Sequence, residues 1–76
     1  MEKNRELIEL AVRRFGSELK TANAAGVSQP LVNVARRTGR VGPRLAIGLD
    51  RATNGEISKH ELRPDLWEPP QSEDAA

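Results

Sequence analysis

Helix-breaking residues punctuate this sequence at short intervals, at Gly16, Gly26, Gly39, Gly42-Pro43 and Asn54-Gly55. The stretches between them carry apolar residues at helical spacing, so the chain is confined to short helices that are stable only by packing on one another. Leu7, Ile8, Ala11, Val12 and Phe15 make one stripe along a first helix from about Asn4 to Phe15, which leaves Arg13 and Arg14 to solvent. Ser17 can cap a second helix through Leu19, Ala22 and Ala25, and Gly26 can turn with positive φ. Val27 returns to the core. Ser28 then caps a third helix whose second position is Pro30, where a missing N–H costs nothing; it carries Leu31, Val32 and Ala35 and stops near Thr38-Gly39. A fourth helix starts at Gly42-Pro43 and repeats Leu45, Ala46, Leu49 and Ala52 until Asn54-Gly55, and Ser58 can cap a last short turn through Leu62. The segment Arg63-Pro64-Asp65-Leu66-Trp67 leads out. With no internal repeat and no strand-like alternation, the expected fold is all-α, a compact four- to five-helix bundle over residues 1–67. Residues 68–76 are too polar and proline-interrupted to pack and read as a disordered acidic tail.

The residue inventory excludes most chemistry. At 76 residues the chain encloses one small core at most, and with no cysteine it has no disulfide framework, thiolate nucleophile or cysteine-rich zinc site. His60 is the one histidine and lacks partners for zinc, so it reads as a surface or capping residue. Ser28 precedes a helix with no histidine near it and reads as a cap, not a nucleophile. Asp50 and Glu56 flank a turn and are expected to be charge partners of Arg51 and Lys59 instead of a catalytic pair. No glycine loop cradles a phosphate. No enzymatic activity, cofactor or metal is therefore expected. Apolar runs reach only three or four residues, far short of the roughly 20 needed to span a bilayer, and the start at Met1-Glu2-Lys3-Asn4 has no signal-peptide core. A soluble, cytoplasmic protein with no membrane partner is expected.

The formal net charge of +1 conceals a segregation of sign. Through Arg40 there are eight basic residues against four acidic ones, whereas from Glu61 onward Arg63 stands against Glu61, Asp65, Glu68, Glu73 and Asp74. A basic body with an acidic end points to a polyanion as partner of the body; the alternative is charged helix faces that are merely solvated.

The segment from Ser17 to Arg37 has the features of a helix-turn-helix: a small residue, Ala22, where two helices touch, a flexible Gly26 in the turn, and apolar anchors on both sides. With Val32 and Ala35 inward, the third helix is expected to expose Gln29, Pro30, Asn33, Val34, Arg36 and Arg37, followed by Arg40. Gln and Asn can each bond an adenine edge bidentately, and arginines can reach guanine edges or phosphates. A helical interaction module is the alternative for the same pattern.

Two stretches also resemble known proteins. Arg14-Phe15-Gly16, Lys20-Thr21-Ala22, Gly26-Val27, Gln29 and Asn33 look like the Cro repressors of lambdoid phages. Gly39-Arg40-Val41, Ala52-Thr53-Asn54-Gly55 and His60-Glu61-Leu62-Arg63-Pro64-Asp65-Leu66-Trp67 are similar to the Cro-like group that includes YdaS-type regulators, antitoxins or prophage repressors. The resemblance covers roughly residues 7–67 and implies a lambda repressor-like DNA-binding domain that binds its operator as a dimer. It implies base contacts from Gln29, Pro30, Asn33, Val34 and Arg37, with Arg40 near the backbone and Ser17 and Lys20 on phosphates at the start of the second helix, a role that helix N-termini suit physically. Ser28 and Arg36 complete the candidate DNA-contacting set. Two departures stand out: Ala25 precedes the turn glycine where such domains place a large apolar residue, and Ala35 stands where relatives often carry tryptophan. Either closer helix approach or modest stability should follow. Pro30 and Val34 replace polar residues and can offer apolar contact to a thymine methyl.

The expected function is a sequence-specific transcriptional repressor that binds a pseudo-palindromic DNA operator as a homodimer, one that is weak off DNA. The alternative is an antitoxin or protein-interaction module that binds a toxin and regulates its own promoter. Trp67 either caps the bundle through Leu62 and Leu66 or supplies the dimer contact, where an exposed aromatic is typical hot-spot material.

Overall fold

A computed structural model describes residues 2–67, which form five α-helices and, among the described residues, no strand. These are α1 (Glu2–Phe15), α2 (Glu18–Ala25), α3 (Gln29–Thr38), α4 (Pro43–Ala52) and α5 (Lys59–Leu62). The expected tail, 68–76, lies outside the described residues. The expected bundle forms, with each break where a glycine, proline or capping serine stands. Ser17 and Ser58 cap α2 and α5 through side-chain oxygens that accept the Lys20 and His60 N–H groups. Gly39 ends α3 at φ 81° and donates its N–H to the Ala35 carbonyl.

α1 packs on α2, α3 and α5, while α4 packs on α2 and α5. The core between them contains Ile8, Ala11 and Val12 of α1, Ala22 and Ala25 of α2, Val32 and Ala35 of α3, and Leu45, Ala46 and Leu49 of α4. Val41, Ile57 and Leu62 close its lower end, and Leu7, Phe15, Val27 and Trp67 pack at its margins. Leu19 differs from the expected stripe: it is exposed, and Thr21 takes the inward position. The buried face of α2 is Thr21, Ala22 and Ala25, small side chains that let α1, α3 and α4 close around a two-turn helix. The Thr21 hydroxyl is satisfied within its own helix, donating to the Ser17 carbonyl at 2.7 Å.

The lean core is compensated by proximity. Gly48 of α4 faces Ala25 of α2, and an ideal Cβ on Gly48 would fall 2.1 Å from the Ala25 carbonyl oxygen. Of the two outcomes expected from Ala25, closer helix approach is thus the one realised at this crossing.

Polar ties fix the remaining joints. Asn4 Nδ2 donates to the Gly39 carbonyl at 3.2 Å and to the Leu62 carbonyl at 3.1 Å, joining the first turn of α1 to the ends of α3 and α5. The buried Thr53 hydroxyl donates to the Leu49 carbonyl and accepts the Ile57 N–H, carrying the chain from α4 toward α5. Asp50 meets Lys59, as expected, but through the backbone N–H and not the ammonium, while Glu56 takes neither expected partner. The Asp50 carboxylate accepts the Lys59 backbone N–H at 3.0 Å at the start of α5, where an unpaired amide and the helix dipole both favour an anion. Glu56 pairs instead with Arg14 of α1. The Lys59 ammonium lies 5.3 Å from the centre of the Trp67 ring, a cation–π geometry. Trp67 thus packs at the core margin, as a bundle cap does, and Leu66 remains exposed.

Candidate nucleic-acid interface

Gly26 sets the angle between α2 and α3. It adopts φ 75° and ψ 30°, and the N–H groups of Gly26 and Val27 donate back to the Asn23 and Ala22 carbonyls at 3.3 and 3.0 Å. This is the Schellman arrangement, which satisfies the last carbonyls of a helix and reverses the chain. Only residues 26–28 separate the two helices. At the far end of α2, Ser17 Oγ accepts the Lys20 N–H at 3.0 Å, so Ser17 and Lys20 stand together on a helix N-terminus, with the Lys20 side chain exposed. Ser28 takes the N-cap position of α3 without a side-chain capping bond, and Pro30 lies in the first turn beyond it.

Val32 and Ala35 turn α3 inward and are wholly buried. Gln29, Pro30, Val34 and Arg37 lie on the exposed side, and Arg40 is exposed just beyond the helix. Asn33 and Arg36 are half-buried.

Arg36, expected to be exposed, is engaged by its own chain. Its Nε and Nη2 donate to the two carboxylate oxygens of Glu9, both at 2.9 Å, and its Nη1 donates to Glu18 Oε2 at 3.0 Å. One guanidinium therefore ties α3 to α1 and α2 at once. Bonding to Arg36 holds the Glu9 and Glu18 carboxyls below the usual glutamate range, and the two carboxylates push the Arg36 pKa further up. In this position Arg36 is a structural tie: its forked donors are engaged by two acids of its own chain, with its side chain 37% exposed.

Glu18 carries the arrangement on to the outward face. Its side chain is only 15% exposed. Besides Arg36, its carboxylate accepts the Asn33 Nδ2 group at 3.3 Å on each oxygen and the Gln29 Nε2 group at 3.4 Å. Asn33 Oδ1 in turn accepts Arg37 Nε at 2.9 Å. Glu9, Arg36, Glu18, Asn33 and Arg37 thus form one continuous polar chain running from α1 to the exposed side of α3.

Sequence reasoning passed over two residues of this surface. Glu18 was legible only as an acid in the first turn of α2; its contacts lie 11 to 18 residues further along the chain. Arg44 is exposed in the first turn of α4 and lines a groove of about 890 Å³ together with Arg40, Leu31 and Val34. Its only sequence signal was an arginine just inside the start of the fourth helix, after Gly42-Pro43. The exposed cations Lys20, Arg37, Arg40 and Arg44 thus come from α2, α3, the loop after it and α4.

Over residues 8–70 the sequence matches the family described as bacterial toxin YdaS. No curated protein and no solved structure matches it. The match takes in all of the helix-turn-helix and both helices that follow it, so the chain belongs to the bacterial toxin YdaS family, a Cro/CI-like, prophage-associated group.

Proposed function

We propose that the protein is a sequence-specific DNA-binding regulator of transcription. The observation that carries this reading is the outward side of α3: Gln29, Pro30, Val34 and Arg37 are uncovered on a helix whose other side, Val32 and Ala35, is locked into the core across the Gly26 turn. A helix so presented fits a major groove, and its side chains carry donors, acceptors and a methyl-sized apolar surface that base edges recognise. Ser17 and Lys20 at the N-terminus of α2 suit one phosphate, and Arg40 and Arg44 suit others. A module of this size buries only roughly 600 to 1,000 Å² on DNA, so a homodimer completed on a pseudo-palindromic operator, with its two α3 helices about 34 Å apart, is the form that reaches useful affinity. Repression by occluding a promoter follows, in the cytoplasm. Selection of binding sites from random duplexes tests this directly: a symmetric enriched site supports it, and affinity no higher than for random duplex at moderate salt refutes it.

The family's description as a toxin favours a second reading, in which the chain inhibits growth and its protein partner neutralises it. This reverses the role expected from the antitoxin resemblance. Controlled expression in a bacterial host separates the routes. Growth arrest that disappears in Arg37→Ala acts through DNA; arrest that persists in that variant acts through a protein target.

A further inference from the structure

We propose that Arg37 is a base-reading residue of α3, that it reads a guanine, and that Asn33 and Glu18 are positioning residues that aim it. This rests on the DNA-binding reading above and names the base pair class that the surface recognises.

Asn33 is the residue type that ordinarily reads adenine, offering its oxygen and its amide nitrogen side by side to the base. Here both edges are engaged elsewhere. Its Nδ2 faces the Glu18 carboxylate at 3.3 Å on both oxygens, and its Oδ1 holds Arg37 Nε at 2.9 Å. Asn33 is also half-buried while Arg37 is exposed. The Arg37 guanidinium is held by its inner nitrogen alone, and its two terminal nitrogens have no partner among the described residues. An exposed arginine held through Nε keeps Nη1 and Nη2 available as the parallel pair of donors that guanine O6 and N7 accept. The support is itself anchored: Glu18 cannot swing away freely, because Arg36 Nη1 holds its Oε2 at 3.0 Å while Glu9 grips the rest of that guanidinium. Ordering the arginine before it meets the base lowers the side-chain entropy lost on binding.

Gln29 differs from Asn33. Among the described residues it makes a single long contact, to Glu18 at 3.4 Å, and its amide oxygen has no partner there. It remains able to read a second base pair.

The test is a panel of duplexes, each carrying one base-pair change in the site selected by the full-length protein. Affinities are measured for the parent, Arg37→Ala, Arg37→Lys, Asn33→Ala, Glu18→Ala and Glu18→Gln, each shown by circular dichroism to keep its helices. The parent is expected to prefer one G·C pair by roughly 10- to 100-fold, the discrimination of a bidentate arginine contact. Arg37→Ala and Arg37→Lys should flatten that preference, and Asn33→Ala should flatten it at the same base pair and at no other. The double variant Asn33→Ala with Arg37→Ala should discriminate no worse there than Arg37→Ala alone. Glu18→Gln, which keeps an oxygen to accept the Asn33 amide, should retain more of the preference than Glu18→Ala. Loss of preference at an A·T pair in Asn33→Ala overturns the proposal and makes Asn33 a reader in its own right. A uniform loss over all duplexes in Arg37→Ala overturns it also, placing Arg37 on a phosphate. If the parent selects no site, the DNA-binding reading itself falls, and this assignment with it.

Discussion

Gly48 meets Ala25 across the α2–α4 crossing with no room for a methyl group: a Cβ on Gly48 would lie 2.1 Å from the Ala25 carbonyl oxygen and 2.9 Å from the Ala25 Cβ. The obstacle is main chain and cannot rotate aside. Gly48→Ala should therefore lower stability by about 1–3 kcal/mol or more from overpacking, despite the roughly 1 kcal/mol by which alanine favours a helix over glycine. Gly26→Ala is the control. Nothing lies within 4 Å of its added Cβ, and the cost comes from φ 75° alone, about 1–2 kcal/mol. Urea unfolding measures both. A Gly48→Ala protein as stable as the parent would show that the two helices can move apart without loss.

Arg36 is expected to matter for folding first and for DNA second. Arg36→Ala leaves the Glu9 and Glu18 carboxylates facing one another without their shared cation. Arg36→Lys restores the charge but not the fork that satisfies both acids. Both variants should melt below the parent, with Arg36→Lys intermediate, and any loss of DNA affinity beyond the loss of folded protein should be confined to the base pair that Arg37 reads, because Arg36 anchors Glu18. An Arg36→Ala variant that melts like the parent yet binds every duplex more weakly would return Arg36 to the contact surface.

Stability should fall in acid. Glu9 and Glu18 are held below their ordinary value of 4.5 by Arg36, and Asp65 is held below its ordinary value of 3.8 by Arg63. A proton binds these groups more readily in the unfolded chain, so their contribution is fully present above pH 4.5 and is lost as the pH drops through the lower folded values. Denaturation midpoints measured from neutral pH to about pH 2 should show this limb. Glu9→Gln and Glu18→Gln should start less stable at neutral pH and change less on acidification. A parent whose midpoint is flat through this range contradicts the ion-pair account.

The phosphate contacts should reveal themselves through salt. Lys20→Ala, Arg40→Ala and Arg44→Ala should each weaken binding to every duplex alike and reduce the slope of log affinity against log salt by about 1. Fluorescence anisotropy at several salt concentrations gives the slopes. A variant with an unchanged slope removes that residue from the backbone contacts.

What the sequence disclosed follows the range of each interaction. Gly26, Pro30, Gly39 and Ser58 act on neighbours within a turn, and all five helices were legible from such signals and from the apolar spacing. The ties of Arg36 were not legible because its position one turn after Val32 borders the core and its acids stand 18 and 27 residues away in the sequence. Leu19 was misread because the rotation of α2 is decided by which side three other helices can approach, and small residues win there over a large apolar one. Gly48 carried a signal that went unused, since a glycine inside a helical pattern often marks a close approach. Of the candidate interface, the identities of the exposed residues on α3 could be read; the bonds among Glu18, Asn33 and Arg37, which decide what each can offer, could not.

The Asn4 amide reaches the two carbonyls at Gly39 and Leu62, and neither is a side chain. The first turn of α1 is thus joined to the ends of α3 and α5 by a link that does not depend on the side chain at position 62, while position 39 is held to glycine by its φ of 81°. Substitutions at position 62 that keep the backbone path and the packing leave this tie in place, so Asn4 can hold the ends of α3 and α5 in register with α1 while the side chain at position 62 varies.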